Sequence, residues 1–110
     1  MILDAAAVKN IAPLYQEDPA MFDTCKAWQE GEVYLQMAYN AYYTNFEIAL
    51  MNTWFVAKTV YPELFSDIDM AEKTDEITNA FLGAGLAEEI FGCQNSFGGY
   101  QKIDTASFFA

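Results

Sequence analysis

Five carboxylates fall between positions 67 and 76: Asp67, Asp69, Glu72, Asp75 and Glu76. They are the first residues whose spacing suggests chemistry. A hard cation needs several oxygens converging on one point. An EF-hand loop begun at Asp67 would want an acid or amide at its fifth position and glycine at its sixth, but Ala71 and Glu72 stand there. The run is therefore read as an acidic patch on a solvated loop and helix start, where the helix dipole favours negative charge. No metal ligand is assigned.

A second group is Cys93 and Ser96 beside Gly98-Gly99, with Lys102 close in sequence. A Ser or Cys nucleophile requires a positioned base, and the chain contains no His. GCQNSFGG is not a nucleophile-elbow motif, and a turn is the simpler reading. Glu47 and the pair Glu88-Glu89 are possible acid–base groups. Glu47 stands alone in an apolar stretch, where burial would raise its pKa, but such a residue more often faces a polar seam. The sequence therefore assigns no catalytic residue, no cofactor-binding residue and no cofactor, and the chain is expected not to be an enzyme.

The aromatics Tyr34, Tyr39, Tyr42, Tyr43, Phe46, Trp54 and Phe55 are read as core or interface, with a small-molecule pocket as the alternative. Met37, Met51 and Met70 would suit an adaptable contact surface. Hydrophobic residues make up 54% of 110, a surplus that one small core does not easily hide, so some of it is expected to meet a protein partner.

Charge excludes more than it assigns. Sixteen acids stand against five lysines and no arginine, a net charge of −11. Nucleic-acid binding rests on neutralising phosphates, so no direct nucleic-acid partner is expected. Anionic membrane surfaces are disfavoured for the same reason. A basic protein surface would be attracted. Cys25 and Cys93 form no metal spacing and no CxxC pair, and both are expected to be reduced and buried. MILDAAAVKN lacks a basic n-region, so the expected location is the cytoplasm or a virion, without a signal peptide.

The elements that must position these residues are all expected to be helices. Asp4 caps a first helix with Val8, Ile11 and Ala12 on its inner face, and Pro13 limits or kinks it. Asp18-Pro19 restarts the chain, and a helix from Pro19 to Glu30 carries Phe22, Cys25 and Trp28 to Gly31. The stretch Val33 to Tyr61 holds only two charges, Glu47 and Lys58, and is expected to be a long central helix. Leu35, Ala38, Tyr42, Phe46, Ala49, Thr53, Val56 and Val60 form one stripe, and Met37, Ala41, Ile48 and Phe55 a second. Two helices meeting at Tyr43-Thr44-Asn45 are the alternative. A membrane span is disfavoured by Asn, Thr and Glu47 within the stretch. After Tyr61-Pro62 comes a single turn, then a helix capped by Asp69 or Thr74 and running to about Phe91.

The predicted fold is all-α: four to five helices bundled around the central one. Residues 1–92 form the helical domain, and 93–110 form an extended C-terminal arm ending in Phe108-Phe109. The second stripe (Met37, Ala41, Ile48, Phe55) and Phe108 and Phe109 are the expected interface.

One resemblance adds to this reading. The stretch Val8-Lys9-Asn10-Ile11-Ala12-Pro13, the helix through Phe22, Cys25 and Trp28, and Asn45-Phe46-Glu47-Ile48-Ala49-Leu50-Met51 together resemble the small helical head–tail connector (adaptor) proteins of tailed phages. The resemblance covers the N-terminal two-thirds. The histidine common in the third helix of such proteins is missing, and the segment after Pro62 does not match. It implies a non-catalytic subunit that assembles in rings, and it assigns no individual residue. The leading expectation is thus a structural or assembly subunit acting through homo-oligomeric or other protein contacts. An acidic inhibitor of anti-restriction or anti-CRISPR type, seated in a basic nucleic-acid-binding groove, is the alternative. A small-ligand-binding helical protein is the third.

Overall fold

In the computed structural model, which describes residues 1–40 and 43–110, Val33, Leu35 and Met37 are buried while Tyr34, Gln36 and Ala38 are not. Alternation with period two is the mark of a strand. The start of the expected central helix is accordingly strand β2 (Tyr34–Gln36). It lies in the middle of a three-stranded sheet, parallel to β1 (Ile2–Asp4) and antiparallel to β3 (Gln101–Lys102). The expected all-α bundle is thereby corrected: the fold is mixed α/β, though mostly helical. β-branched and aromatic residues fit a pleated, half-buried surface, and Val33-Tyr34-Leu35 supplies that composition.

Parallel pairing of β1 with β2 requires a long crossover, and residues 5–33 provide it. Asp4 accepts the Ala6 N–H at 2.8 Å and starts a 3₁₀ turn that runs into α1 (Val8–Glu17), with Pro13 inside it. Val8 is buried on its inner face, and Ile11, Ala12 and Tyr15 pack beside it. The helix expected over Pro19 to Glu30 is instead two single turns, α2 (Pro19–Phe22) and α3 (Lys26–Gln29), separated at Asp23-Thr24-Cys25. Phe22 and Trp28 from the two turns, and Cys25 from between them, still reach one core.

That core is closed from the far end of the chain. The segment expected as an extended arm forms β3 and then α7 (Thr105–Phe108), capped by Asp104. Phe109 is 1% exposed and stacks on Trp28 with ring centroids 5.5 Å apart. Tyr15 packs against both rings, and Gln16 Nε2 donates to the Phe109 carbonyl at 3.1 Å. The tail is not an arm because Ile103 and Phe109 are large apolar groups that complete a core the sheet alone leaves open.

The remainder is helical. Asn45 donates its N–H to the Tyr39 carbonyl at 2.7 Å, closing the turn that precedes α4 (Phe46–Val60). Tyr61 ends α4 before Pro62, as the sequence indicates. Residues 61–69 return the chain to α5 (Met70–Leu82), capped by Asp69 through the Glu72 N–H at 2.9 Å. The helix expected to reach Phe91 breaks at Gly83, whose φ of +78° places it in the left-handed region that glycine tolerates. It resumes as α6 (Ala87–Gly92).

Sheet and hairpin are joined through Asn52. This buried α4 side chain takes over the ladder where β2 stops: Met37 N–H donates to its Oδ1 at 3.2 Å, and its Nδ2 donates to the Met37 carbonyl at 2.8 Å. Tyr100 O–H donates to the same Oδ1 at 2.7 Å, and burial pushes the Tyr100 phenol well above its usual pKa. Gly99 beside it has a φ of +101°, and a Cβ there would lie 2.7 Å from the Phe91 ring. Only glycine lets Phe91 pack against Tyr100 in that way.

Candidate protein-docking face

Two of the five acids in the run hold the fold. Asp69 caps α5, and Asp75 Oδ1 accepts the Ala87 N–H at 2.9 Å to start α6. Glu76 pairs with Lys73 at 2.6 Å. Asp67 and Glu72 are exposed. Among the described residues no three His, Cys, Asp or Glu side chains gather into a group able to hold a metal.

The other sequence candidates are spread apart. Cys93, expected to be buried, is exposed, with its Sγ 3.2 Å from the Glu89 carbonyl; Cys25 is half-buried. Lys102 lies 3.3 Å from Glu32, whose carboxylate raises the Lys102 pKa, the opposite of what a general base requires. Tyr34 O–H donates to Glu32 at 2.6 Å; together with Lys102 it lowers the Glu32 pKa, while its own is raised. Glu47 sits half-buried in the first turn of α4, where the helix dipole favours a carboxylate. Glu88 and Glu89 occupy the equivalent turn of α6.

The residues expected to meet a partner are placed differently. Met37, Phe55 and Phe109 are buried within the chain's own cores. Ile48 is half-buried, and so is Phe108, which packs on Phe97. Ala41 lies outside the described residues, as does Tyr42. The apolar groups of 33–61 are divided between β2 and α4, and within α4 the side expected to be free, that of Phe55, is the buried one. Asn52 explains the inversion: its bonds to Met37 turn the Met51–Phe55 side of α4 onto the sheet.

What remains outside is a different stripe. Phe46, Leu50, Thr53, Ala57 and Val60 are spaced four, three, four and three residues apart. At 100° per residue they fall within about 80° of arc, opposite the buried Met51 and Phe55. Phe46 is 74% exposed, Leu50 38% and Val60 55%. The spacing is that of a helix-packing seam. The first expected stripe already holds Phe46, Thr53 and Val60; Leu50 and Ala57 join them once the 4-3 count begins at Phe46 instead of running on from the strand.

Two borders define this face. On one side an open cleft of about 350 Å³ runs between α4 and the end of β2, lined by Gln36, Tyr39, Ala49, Asn52, Thr53 and Val56. It does not reach Glu47. On the other side is α5. Trp54, adjoining Leu50 and Ala57 on α4, carries Lys73 4.3 Å above its ring, and Phe65 meets its edge. These contacts show α5 running back along α4, with Glu76 beside Lys73 and Glu72 one turn earlier on the same side. The same pairing carries Phe81, 60% exposed, to the level of Phe46.

Electrostatically the face belongs to the more acidic half. Residues 43–92 contain nine acids and two lysines. Both lysines turn inward: Lys58 donates to the Ile68 carbonyl, and Lys73 is engaged with Trp54 and Glu76. Among the described residues no helix is long and apolar enough to cross a membrane. No protein-family model matches this chain, and no curated protein matches it.

Proposed function

We propose that this chain is a non-enzymatic binding subunit of a larger assembly, in the cytoplasm or a virion, and that the outer stripe of α4 is its docking face. One observation carries the reading. A helix of 15 residues keeps Phe46, Leu50 and Val60 exposed along one 4-3 line, with the smaller Thr53 and half-buried Ala57 between them, while its opposite side is buried. Exposed contiguous apolar surface is costly to solubility and marks interaction sites. A ring subunit of the connector type is one specific form; it requires self-association through this or another face.

The test is capture on the immobilised chain from its native source, comparing it with Phe46→Ser/Val60→Ser and with Lys9→Ala. The reading expects proteins retained by the native chain and by Lys9→Ala to be lost with the double variant. An identical set from all three, or none from any, contradicts it.

A second reading, the acidic inhibitor seated in a basic groove, is favoured by the acid excess of residues 43–92. It expects binding to weaken on neutralising Glu63, Asp67 and Glu72, and to fall steeply with salt. Asp69 and Asp75 are unsuitable for that test because each caps a helix.

A further inference from the structure

The occupant of the α4 face follows from its shape and its charge. We infer that it takes a basic amphipathic helix from a partner protein, and not a second copy of this chain. This rests on the docking-face reading and adds the partner's chemistry to it.

The seam from Phe46 to Val60 spans about 21 Å, four helical turns, which matches one amphipathic helix laid alongside. Its profile is uneven. Phe46 and Leu50 stand at one end and Val60 at the other, with the smaller Thr53 and Ala57 between them. A hollow in mid-seam admits a large partner side chain, while the bulky ends fix register, as in knobs-into-holes packing. The cleft beside Ala49, Thr53 and Val56 widens the hollow towards Tyr39.

Charge decides between the two occupants. Glu72 and Glu76 lie along the Trp54 border, and the two lysines of this half are directed inward. A second copy would bring the same acids to the same border, each copy carrying a net −11. Like charges brought to one border repel over a Debye length of about 8 Å at physiological salt. A helix with Lys or Arg flanking its apolar stripe would instead meet the Glu72 and Glu76 carboxylates there, Glu76 beside its own Lys73.

The probe is a synthetic helix of about five turns built from Leu and Lys in amphipathic order. Its control has the same composition in scrambled order. Each is titrated into the full chain at low and physiological salt while backbone amide shifts are followed. The expected result has shifts concentrated in 46–60 and 72–76, and at least about tenfold weaker binding of the scrambled peptide, equivalent to about 1.4 kcal/mol. Phe46→Ser/Val60→Ser should weaken the ordered peptide to a similar extent. Glu72→Gln/Glu76→Gln should weaken it a few-fold and flatten the salt dependence. Amide spectra and urea midpoints of both variants confirm that they fold.

Equal affinity for the ordered and scrambled peptides overturns the inference, as do shifts centred elsewhere. Concentration-dependent dimerisation abolished by Phe46→Ser/Val60→Ser assigns the face to a second copy and also overturns it. If the peptide fails while capture still depends on Phe46 and Val60, the basic helix falls and the docking face stands. If capture is also independent of them, both fall.

Discussion

Trp28 and Phe46 are both large aromatic residues on helices, yet one is buried and the other is 74% exposed. The contrast holds for the regions around them. Trp28 belongs to a core assembled from both ends of the chain: Ala5 and Val8 from the start, Leu35 from β2 and Val33 just before it, Ile103 and Phe109 from the tail. Phe46 begins a helix whose inner side is held to the sheet by Asn52 and whose outer side leaves Phe46 and Val60 largely exposed among the described residues. The difference teaches where apolar surplus goes in a small protein. Long-range pairing buries the rings at the centre of the first region, with Leu14 and Met21 left exposed at its rim. The second is left with a face that needs something else.

The comparison breaks first if the closed core is not what holds the fold. Trp28→Ala and Phe109→Ala each remove a ring from a stacked, buried pair. Each should cost about 3–5 kcal/mol, read as a lower urea midpoint. A loss below about 1 kcal/mol would show that the tail docks only loosely.

Asn52→Ala tests the joint between the regions. It orphans the buried N–H and C=O of Met37 and removes the partner of Tyr100. With each orphaned buried group costing about 1–3 kcal/mol, a loss of about 3 kcal/mol is expected. Amide exchange at Met37 should accelerate with it.

Tyr100 sharpens the same joint through pH. Burial raises its pKa, so the folded state holds the phenol proton more tightly than the unfolded chain does. Its contribution is fully present below about pH 10, the unfolded value, and is lost as pH rises beyond it. Stability should therefore decline above about pH 10. In Tyr100→Phe that decline should be smaller, at a cost of about 1 kcal/mol at neutral pH for the lost hydrogen bond. Equal alkaline declines in both proteins would contradict a buried Tyr100.

The smallest expected effect lies on the outer face. Phe46→Ser and Val60→Ser should each change stability by only about 0.5 kcal/mol in urea denaturation, because both side chains are mostly exposed. A loss comparable to that of Trp28→Ala would place them in a core and remove the distinction.

Local signals in the sequence were reliable over short range. Asp4, Asp69 and the Tyr61-Pro62 stop act as their chemistry indicates, and Pro19 begins a helix as expected. What failed was inference across a junction. Val33, Leu35 and Met37 alternate with period two, but the helix-forming run after Asn45 continued their apolar character, and one period was imposed on both. The Gly98-Gly99 segment and the terminal phenylalanines look like an arm locally. Their place depends on a Trp28 ring some eighty residues earlier, which no local pattern encodes. The α4 seam was legible in its spacing. Which side of α4 faces out was not, because Asn52 decides it through bonds to Met37 that form only in the folded chain.

The most direct test of the central claim is the affinity of Phe46→Ser/Val60→Ser for a protein that the native chain captures, measured beside its urea midpoint. The account predicts at least about tenfold weaker binding, about 1.4 kcal/mol, at an almost unchanged midpoint. Native affinity in the double variant would show that the outer face of α4 is not where this protein meets its partner.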